Sequence, residues 1–244
     1  DTAFSYLNTE IKIGNFQKKN KINFKIYTKL GSLPRNIKKQ NASKKIDSYF
    51  FISLKRLAVK KIHCMYVHKF SDLFIFDYLV LKRLIFFKQK KIIKNIGISV
   101  YCPKEFEIAL KIKEIDTIQI PFNLIDYRWN NIFNNYKHQI AKKEIIARSV
   151  FLQGALLEKK KSNIKNFISK ALKNTNSISE KDLLIRYVKS HNWISKIIIG
   201  IEDPNHINEL YALFNRPNLT RKNLDYIKKN NKITSHKILQ PNLW

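Results

Sequence analysis

Two patterns of hydrophobic and polar positions alternate along this chain. Short runs that are apolar on both parities and rich in β-branched and aromatic residues indicate strands buried on both faces. Six such runs occur: FKIYTK at 24–29, HCMYVH at 63–68, NIGISV at 95–100, TIQIPF at 117–122, IIARSV at 145–150 and KIIIGI at 196–201. Apolar residues at helical spacing fall between and after them, at about 40–58, 72–89, 103–113, 129–143, 163–173, 180–191 and 205–215. This strand–helix alternation predicts an α/β fold with a parallel sheet.

Residues at the predicted helix starts support these boundaries. Asp72 and Ser179 stand where N-caps are expected, and Pro103 and Pro204 stand where first-turn prolines are expected. The most apolar stretch, LFIFDYLVLKRLIFF at 73–87, is interrupted by three charged residues. It therefore predicts a buried amphipathic helix, and we expect no membrane partner.

Two architectures fit the alternation, an open doubly wound sheet and a closed (β/α)8 TIM barrel. The open dinucleotide-binding type carries a GxGxxG loop, and the five glycines of this chain form none. The six runs and a strand ending at DTA (1–3) make seven strands, whereas a closed barrel has eight. We therefore expect one barrel domain over 1–244 that lacks its first strand and helix, with 216–244 as a covering or loosely held segment. Such an open barrel would expose two strand edges, so we expect this chain to be poorly active.

Charge and cysteine content change this picture little. The net charge is +29, which taken alone suggests a polyanionic partner such as nucleic acid. However, Lys outnumbers Arg 39 to 8 and is spread along the chain, as in a protein from an AT-rich genome. We favour a solvated basic surface and expect no nucleic-acid partner. Cys64 and Cys102 form no CxxC pair and read as free thiols, which favours a reducing, cytoplasmic location.

Candidate chemistry gathers where the predicted strands end. Asp1 ends the DTA strand, Lys29 ends FKIYTK, His68 ends HCMYVH, and Tyr6 follows Asp1 closely. A free tyrosine has a pKa near 10, and a neighbouring ammonium lowers that pKa by stabilising phenolate. A buried ammonium in turn needs a carboxylate. The four residues therefore predict a proton-transfer set. We expect no metal site, because His63 and His68 are five apart on one strand and face opposite sides.

Several motifs that carry these residues resemble the aldo/keto reductase family. The stretch D-T-A-x-x-Y-x-x-[ST]-E-x-x-x-G at 1–14 resembles its signature segment. Six further stretches match in family order: TKL at 28–30, VHK at 67–69, GISVY at 97–101, IQIPFNLID at 118–126, ARSVFLQGALL at 147–157 and IIIGIEDPNHINEL at 197–210. The family fold is a (β/α)8 barrel, which agrees with the strand count.

The resemblance implies reduction of a carbonyl substrate by NADP or NAD in its reduced form. Tyr6 would be the general acid, Lys29 and Asp1 would tune it, and His68 would orient the carbonyl. Eight residues match cofactor-binding positions: Ser99 and Gln119 at the nicotinamide carboxamide, Arg148, Ser149, Phe151 and Gln153 after the next-to-last strand, and Gly200 and Glu209 on the adenosine side. Sugar-derived, steroid-like and simple aldehyde substrates all stay open, as does the oligomeric state.

The chain departs from the family pattern at a few positions. Leu7 replaces a Gly, so the backbone after Tyr6 is less free. Val100 replaces an Asn that grips the carboxamide, and Arg148 replaces a stacking aromatic. Glu202, Asp203 and His206 stand where cations that bind a 2′-phosphate are usual, which leaves NADP against NAD open. Two alternative functions remain: a catalytically inactive barrel acting as a cofactor-binding or regulatory module, and a basic nucleic-acid-binding protein.

Overall fold

The computed structural model describes residues 1–158, 162–201, 203–231 and 239. The helices of this part are α1 Thr9–Asn20, α2 Lys39–Leu57, α3 Leu79–Gln89, α4 Pro103–Lys111, α5 Ile132–Ile140, α6 Ser162–Thr175, α7 Glu180–Lys189, α8 His206–Asn215 and α9 Arg221–Asn230. The strands are β1 Tyr27–Lys29, β2 Ile62–Val67, β3 Ile93–Ser99, β4 Thr117–Pro121, β5 Glu144–Arg148 and β6 Lys196–Ile197. Short 3-10 turns lie at Phe70–Phe74 and Tyr127–Trp129. The chain divides into a first unit, 1–100 with 105–119, and a second unit, 101–104 with 120–244.

Four strands of the first unit pair in chain order as parallel neighbours. Lys29 of β1 is in register with Tyr66 of β2, Tyr66 with Gly97 of β3, and Gly97 with Thr117 of β4. The segment before α1 lies along the free side of β1, where the Thr2 and Phe4 amides donate to the Tyr27 and Lys29 carbonyls. This segment was predicted as a strand; the structure gives it strand-like hydrogen bonds without a full strand.

A single side-chain hydrogen bond shows that the sheet of the first unit curls. Gln119 Nε2 on β4 donates to Asp1 Oδ1 over 3.1 Å. Asp1 precedes β1, so β1, β2 and β3 separate the two residues along the sheet. Adjacent strands lie about 4.8 Å apart, and four such steps in a flat sheet would span about 19 Å. Two side chains cannot bridge that distance, so this face is concave, as in a barrel and unlike an open sheet.

Helix α1 packs on α2 through a row of polar residues and a glycine instead of an apolar face. Its buried residues are Glu10, Gly14 and Gln17, spaced four and three apart, and all its large apolar side chains are at least partly exposed. A Cβ on Gly14 would lie 2.2 Å from the Arg56 carbonyl oxygen, so only glycine allows this close approach. Gln17 completes the contact by donating to the Leu57 carbonyl over 3.0 Å.

The second unit begins within β4. There the Phe122 amide donates to the Arg148 carbonyl beside β5, and β5 pairs in parallel with β6. Helix α7 supplies much of the core, since its residues 182–188 are all buried. Helix α9 has a capping box in which Thr220 and Asn223 bond reciprocally.

Most predicted elements are confirmed, with four differences. All six predicted strands exist, Ser179 caps α7, and Pro103 begins α4. The Asp72 N-cap is wrong: Asp72 lies buried inside the 3-10 turn, and α3 starts only at Leu79, after left-handed residues at 76–78. Pro204 lies before α8, whose N-cap is Asn205. Helices α1 and α9 were not predicted. No helix among the described ranges is long and apolar enough to span a bilayer.

Candidate active site

A buried ion pair forms the centre of the candidate site in the first unit. Lys29 Nζ lies 2.6 Å from Asp1 Oδ2, and the two side chains are 3% and 15% exposed. The same ammonium donates to the Thr2 carbonyl oxygen over 3.3 Å. The second Asp1 oxygen accepts from Gln119, so strand β4 also holds this carboxylate. Burial makes the pair mutually dependent, because each charge would be costly alone.

Tyr6 and His68 complete the predicted set. The Lys29 ammonium is 5.5 Å from the centre of the Tyr6 ring, and the His68 ring meets Tyr6 edge-on at 6.2 Å. Tyr6 is 46% exposed, so a small molecule can reach its phenol. The structure thus brings all four sequence-predicted residues together, although their chemical roles stay predictions.

Ser99 and Gln119 lie on the same sheet face as Lys29. They are register partners on β3 and β4 and are both buried. Ser99 is two residues beyond Gly97, which shares the register of Lys29, and side chains two apart on a strand point to one face. Gln119 Nε2 is used by Asp1, whereas its buried Oε1 accepts no hydrogen bond from the described residues. This buried acceptor fits a ligand that brings an N–H donor, such as a carboxamide.

The second unit holds a cavity of about 420 Å³ lined by predicted cofactor-binding residues. These are Arg148, Ser149, Phe151, Gln153 and Gly200. The predicted Glu209 does not line the cavity, but its Oε2 accepts from Lys181, which does, over 2.7 Å. The Arg148 guanidinium lies 4.6 Å over the Tyr101 ring and donates to Ser149 Oγ over 3.2 Å.

The loop along this cavity has strained backbone. Ser149, Leu152 and Gln153 have φ values of 59°, 50° and 52°, which non-glycine residues rarely adopt. Only Gly154, at 85°, suits such a conformation without cost. Residues held in these regions concentrate at ligand-binding sites.

Sequence reasoning missed Lys181 as a candidate functional residue. It is one of 39 lysines, and nothing in its neighbourhood in sequence distinguishes it from the rest. Only the fold, by placing the first turn of α7 at the cavity, singles it out. His206 also lines the cavity, Asp203 caps the turn before α8 by accepting from the Asn205 amide, and Glu202 lies outside the described residues.

Comparison with known proteins agrees with this arrangement. The model of the aldo/keto reductase family matches residues 1–232. The chain belongs to the aldo/keto reductase family. Comparison with curated protein sequences gives no match.

Solved structures of aldo-keto reductases share the fold. AKR11C1 from Bacillus halodurans, in its holo form, aligns with a TM-score of 0.76 and 18% identity over 97% of this chain and 84% of its own. MGS-M4, from a Medee basin deep-sea metagenome library, aligns with a TM-score of 0.69 and 17% identity over 96% and 83%. A thermostable aldo-keto reductase in complex with the inhibitor epalrestat gives 0.70 and 16% over 94% and 80%. These similarities confirm the predicted α/β barrel class.

Two departures from the aldo/keto reductase pattern have visible consequences. Leu7, in place of glycine, has φ 42° and is 89% exposed, so it takes a left-handed conformation without packing in return. Val100 is fully buried, and its amide donates to the Gln119 carbonyl over 3.0 Å. The backbone beside Gln119 is therefore fixed even though no amide side chain stands at this position. Among the described residues, no cluster of three or more His, Cys, Asp or Glu could hold a metal ion.

Proposed function

We propose that this protein reduces an aldehyde or ketone to an alcohol with NADPH or NADH. When bound, the reduced nicotinamide supplies a hydride to the carbonyl carbon. Tyr6 donates its phenolic proton to the carbonyl oxygen, and His68 orients that oxygen. The observation that carries the proposal is the Lys29 ammonium, which contacts the Asp1 carboxylate at 2.6 Å and lies 5.5 Å from the Tyr6 ring.

The charges around Tyr6 support a proton donor there. Once Tyr6 has given up its proton it is a phenolate, and a cation nearby stabilises it. Asp1 keeps Lys29 charged although the ammonium is buried, because a desolvated ammonium without a partner favours its neutral form. The His68 and Tyr6 rings lie 6.2 Å apart and nearly perpendicular, which supports a role for His68 beside the proton donor.

Each unit, taken by itself, offers groups suited to a cofactor: the first to a carboxamide and the second to a phosphate. The unused Gln119 Oε1 would accept from the carboxamide N–H, and Ser99 would bind beside it. In the second unit, the cavity with Arg148, Ser149, Phe151, Gln153 and Gly200 would take a phosphate-bearing portion. Lys181 there supplies a cation, and Glu209, which does not line the cavity, accepts a hydrogen bond from it. These groups serve NADP and NAD alike. A cytoplasmic location would supply either cofactor in its reduced form.

Cofactor binding and turnover test the proposal in one series. The purified protein is titrated with NADPH and NADH by fluorescence and then assayed on a panel of sugar-derived, steroid-like and simple carbonyls. We expect turnover on some member, and a kcat at least about 100-fold lower in Tyr6→Phe with cofactor affinity retained. Tyr78→Phe, another accessible tyrosine of the first unit, is the control and should match the unaltered protein. Cofactor binding with no turnover on any carbonyl would instead indicate a regulatory or cofactor-binding module.

A further inference from the structure

Arg56 contacts the turn that carries Tyr6. It lies near the C-terminal end of α2. Its NH1 donates to the Phe4 carbonyl oxygen over 3.3 Å, and its guanidinium stacks 4.6 Å from the centre of the Phe4 ring. The same NH1 lies 3.7 Å from Glu10 Oε2. Phe4 precedes Tyr6 and Glu10 follows it, so one guanidinium contacts the chain on both sides of the proposed proton donor.

Phe4 links this contact to the catalytic lysine. Its amide donates to the Lys29 carbonyl over 2.9 Å, and its ring lies 4.6 Å from the Tyr49 ring. A Cβ on Gly31 would come within 2.9 Å of both rings, so the missing side chain makes room for them. Phe4 is thereby held by packing, by one backbone hydrogen bond to Lys29 and by the Arg56 side chain, and Tyr6 follows it after one residue.

Glu10 provides the second anchor. It is 1% exposed, and its oxygens accept from Thr28 Oγ1 over 2.8 Å and from Ser53 Oγ over 3.3 Å. Thr28 directly precedes Lys29, so Glu10 fixes the start of α1 against the strand end that carries the ammonium. Arg56 offsets the charge of this buried carboxylate, which would otherwise be costly.

From these contacts we propose that Arg56 is a positioning residue, which sets the distance between the Tyr6 phenol and the Lys29 ammonium. The proposal rests on the proposed function. In this proposal Arg56 does not contact substrate. It acts by holding Phe4 and Glu10, and Tyr6 lies in the short turn between these two residues. Proton transfer depends steeply on the position of the donor. Loss of Arg56 should therefore lower kcat much more than it changes the KM for the carbonyl.

The test compares Arg56→Ala with Arg83→Ala. Arg83 is a matched control, because its guanidinium also stacks 4.6 Å from a ring, that of Phe86, and pairs with a carboxylate, Asp47 at 2.8 Å, away from the Tyr6 turn. We expect about a tenfold loss of kcat in Arg56→Ala, with carbonyl KM and cofactor affinity within about twofold. Arg83→Ala should keep its kcat. Arg56→Lys, which keeps the charge but lacks the planar stacking group, should give an intermediate kcat.

A second measurement does not depend on turnover. Hydrogen exchange of the peptide covering 1–10 should be faster in Arg56→Ala and unchanged in Arg83→Ala, because only the first variant frees Phe4. Unchanged exchange in Arg56→Ala would overturn the proposal. So would faster exchange with unaltered kcat in an active enzyme. If the unaltered protein reduces no carbonyl, the proposed function fails and with it the catalytic consequence, while the exchange result still decides whether Arg56 holds the turn.

Discussion

The candidate site residues of the two units are held in different ways. In the first unit, Lys29, Ser99 and Gln119 project from buried strands, and hydrogen bonds join Lys29, Asp1 and Gln119 to one another. In the second unit, most of the candidates stand on loops around a cavity, and two of them, Ser149 and Gln153, have a left-handed backbone. Strands fix side chains within narrow limits, whereas loops can adapt to a ligand. We therefore expect the strand-held residues of the first unit to be the more rigid set and the loop residues of the second unit the more adaptable one.

The sharpest test of this comparison is Lys29→Met. Removing one partner of a buried pair leaves the Asp1 carboxylate uncompensated, so we expect a loss of about 3 kcal/mol in the free energy of unfolding. Under the proposed function, kcat should also fall by about 100-fold or more, because Lys29 would no longer stabilise a Tyr6 phenolate. Denaturant unfolding and steady-state kinetics measure the two effects. Lys88→Met, which removes a more exposed pair with Asp116, serves as the control and should change both quantities little. If the Asp1–Lys29 pair had no importance, Lys29→Met and Lys88→Met would have the same free energy of unfolding and the same kcat.

In the second unit, Lys181→Met should affect binding without affecting stability. Its ion pair with Glu209 is partly exposed and contributes at most about 1 kcal/mol to folding. We expect the Kd of NADPH or NADH to rise about tenfold and kcat to change less than about twofold. Lys196→Met, which removes an exposed pair with Glu144 outside the cavity, is the matched control. Equal affinities in the two variants would contradict a ligand-binding role for the cavity.

The two units also differ in the surroundings of a histidine, and the pH dependence of stability tests this difference. His68 stands beside Tyr6, whereas His191 is packed against Tyr187, Phe122 and Trp193. Burial lowers the pKa of His191 below its ordinary 6.5, and the hydrogen bond to the Tyr187 carbonyl only partly opposes this. The unfolded chain then binds the proton more readily, so this stabilising contribution is present above pH 6.5 and is lost as the pH falls toward the folded pKa.

His191→Gln should therefore flatten the decline in the free energy of unfolding below pH 6.5, by up to about 1.4 kcal/mol per pH unit. The measurement is urea unfolding at a series of pH values. The exposed His138→Gln variant should keep the slope of the unaltered protein. A His191 variant with an unchanged slope would show that the burial of this imidazole does not set the pH dependence.

The smallest expected effect concerns Leu7, the strained neighbour of Tyr6. A left-handed conformation costs a side-chain-bearing residue about 1–2 kcal/mol. Glycine avoids this cost, but part of the gain in stability is lost because glycine has a greater conformational entropy in the unfolded chain. Since Leu7 is exposed and loses little packing, Leu7→Gly should raise the free energy of unfolding by about 0.5 kcal/mol. Lys12→Gly, at an exposed position inside α1, should lower it by about 1 kcal/mol. A destabilised Leu7→Gly would mean that the Leu7 side chain makes contacts of value.

Sequence patterns located the strands well but missed helices α1 and α9, and for α1 the physical reason is clear. Prediction of helices relies on an apolar face, and α1 buries Glu10, Gly14 and Gln17 instead. Its contacts with α2 and β1 are made by hydrogen bonds and a glycine, which leave no hydrophobic period. The wrong prediction of Asp72 as an N-cap has the opposite cause, because here an apolar pattern is present where the helix is not. An apolar stretch continues through 73–87, but left-handed backbone at 76–78 divides it into a 3-10 turn and α3.

By itself the sequence determined the class of fold and which residues form the proposed proton-transfer set, because strand burial and strand-end positions follow from local spacing. It could also select Ser99, Gln119 and the residues after β5 by motif. Only the tertiary structure decided that Asp1 reaches Gln119 across three strands, that Arg56 contacts both Phe4 and Glu10, and that Lys181 faces a cavity. These contacts join residues 28–118 positions apart or depend on how elements pack, and side chains so distant are brought together by curvature and packing that no local pattern encodes.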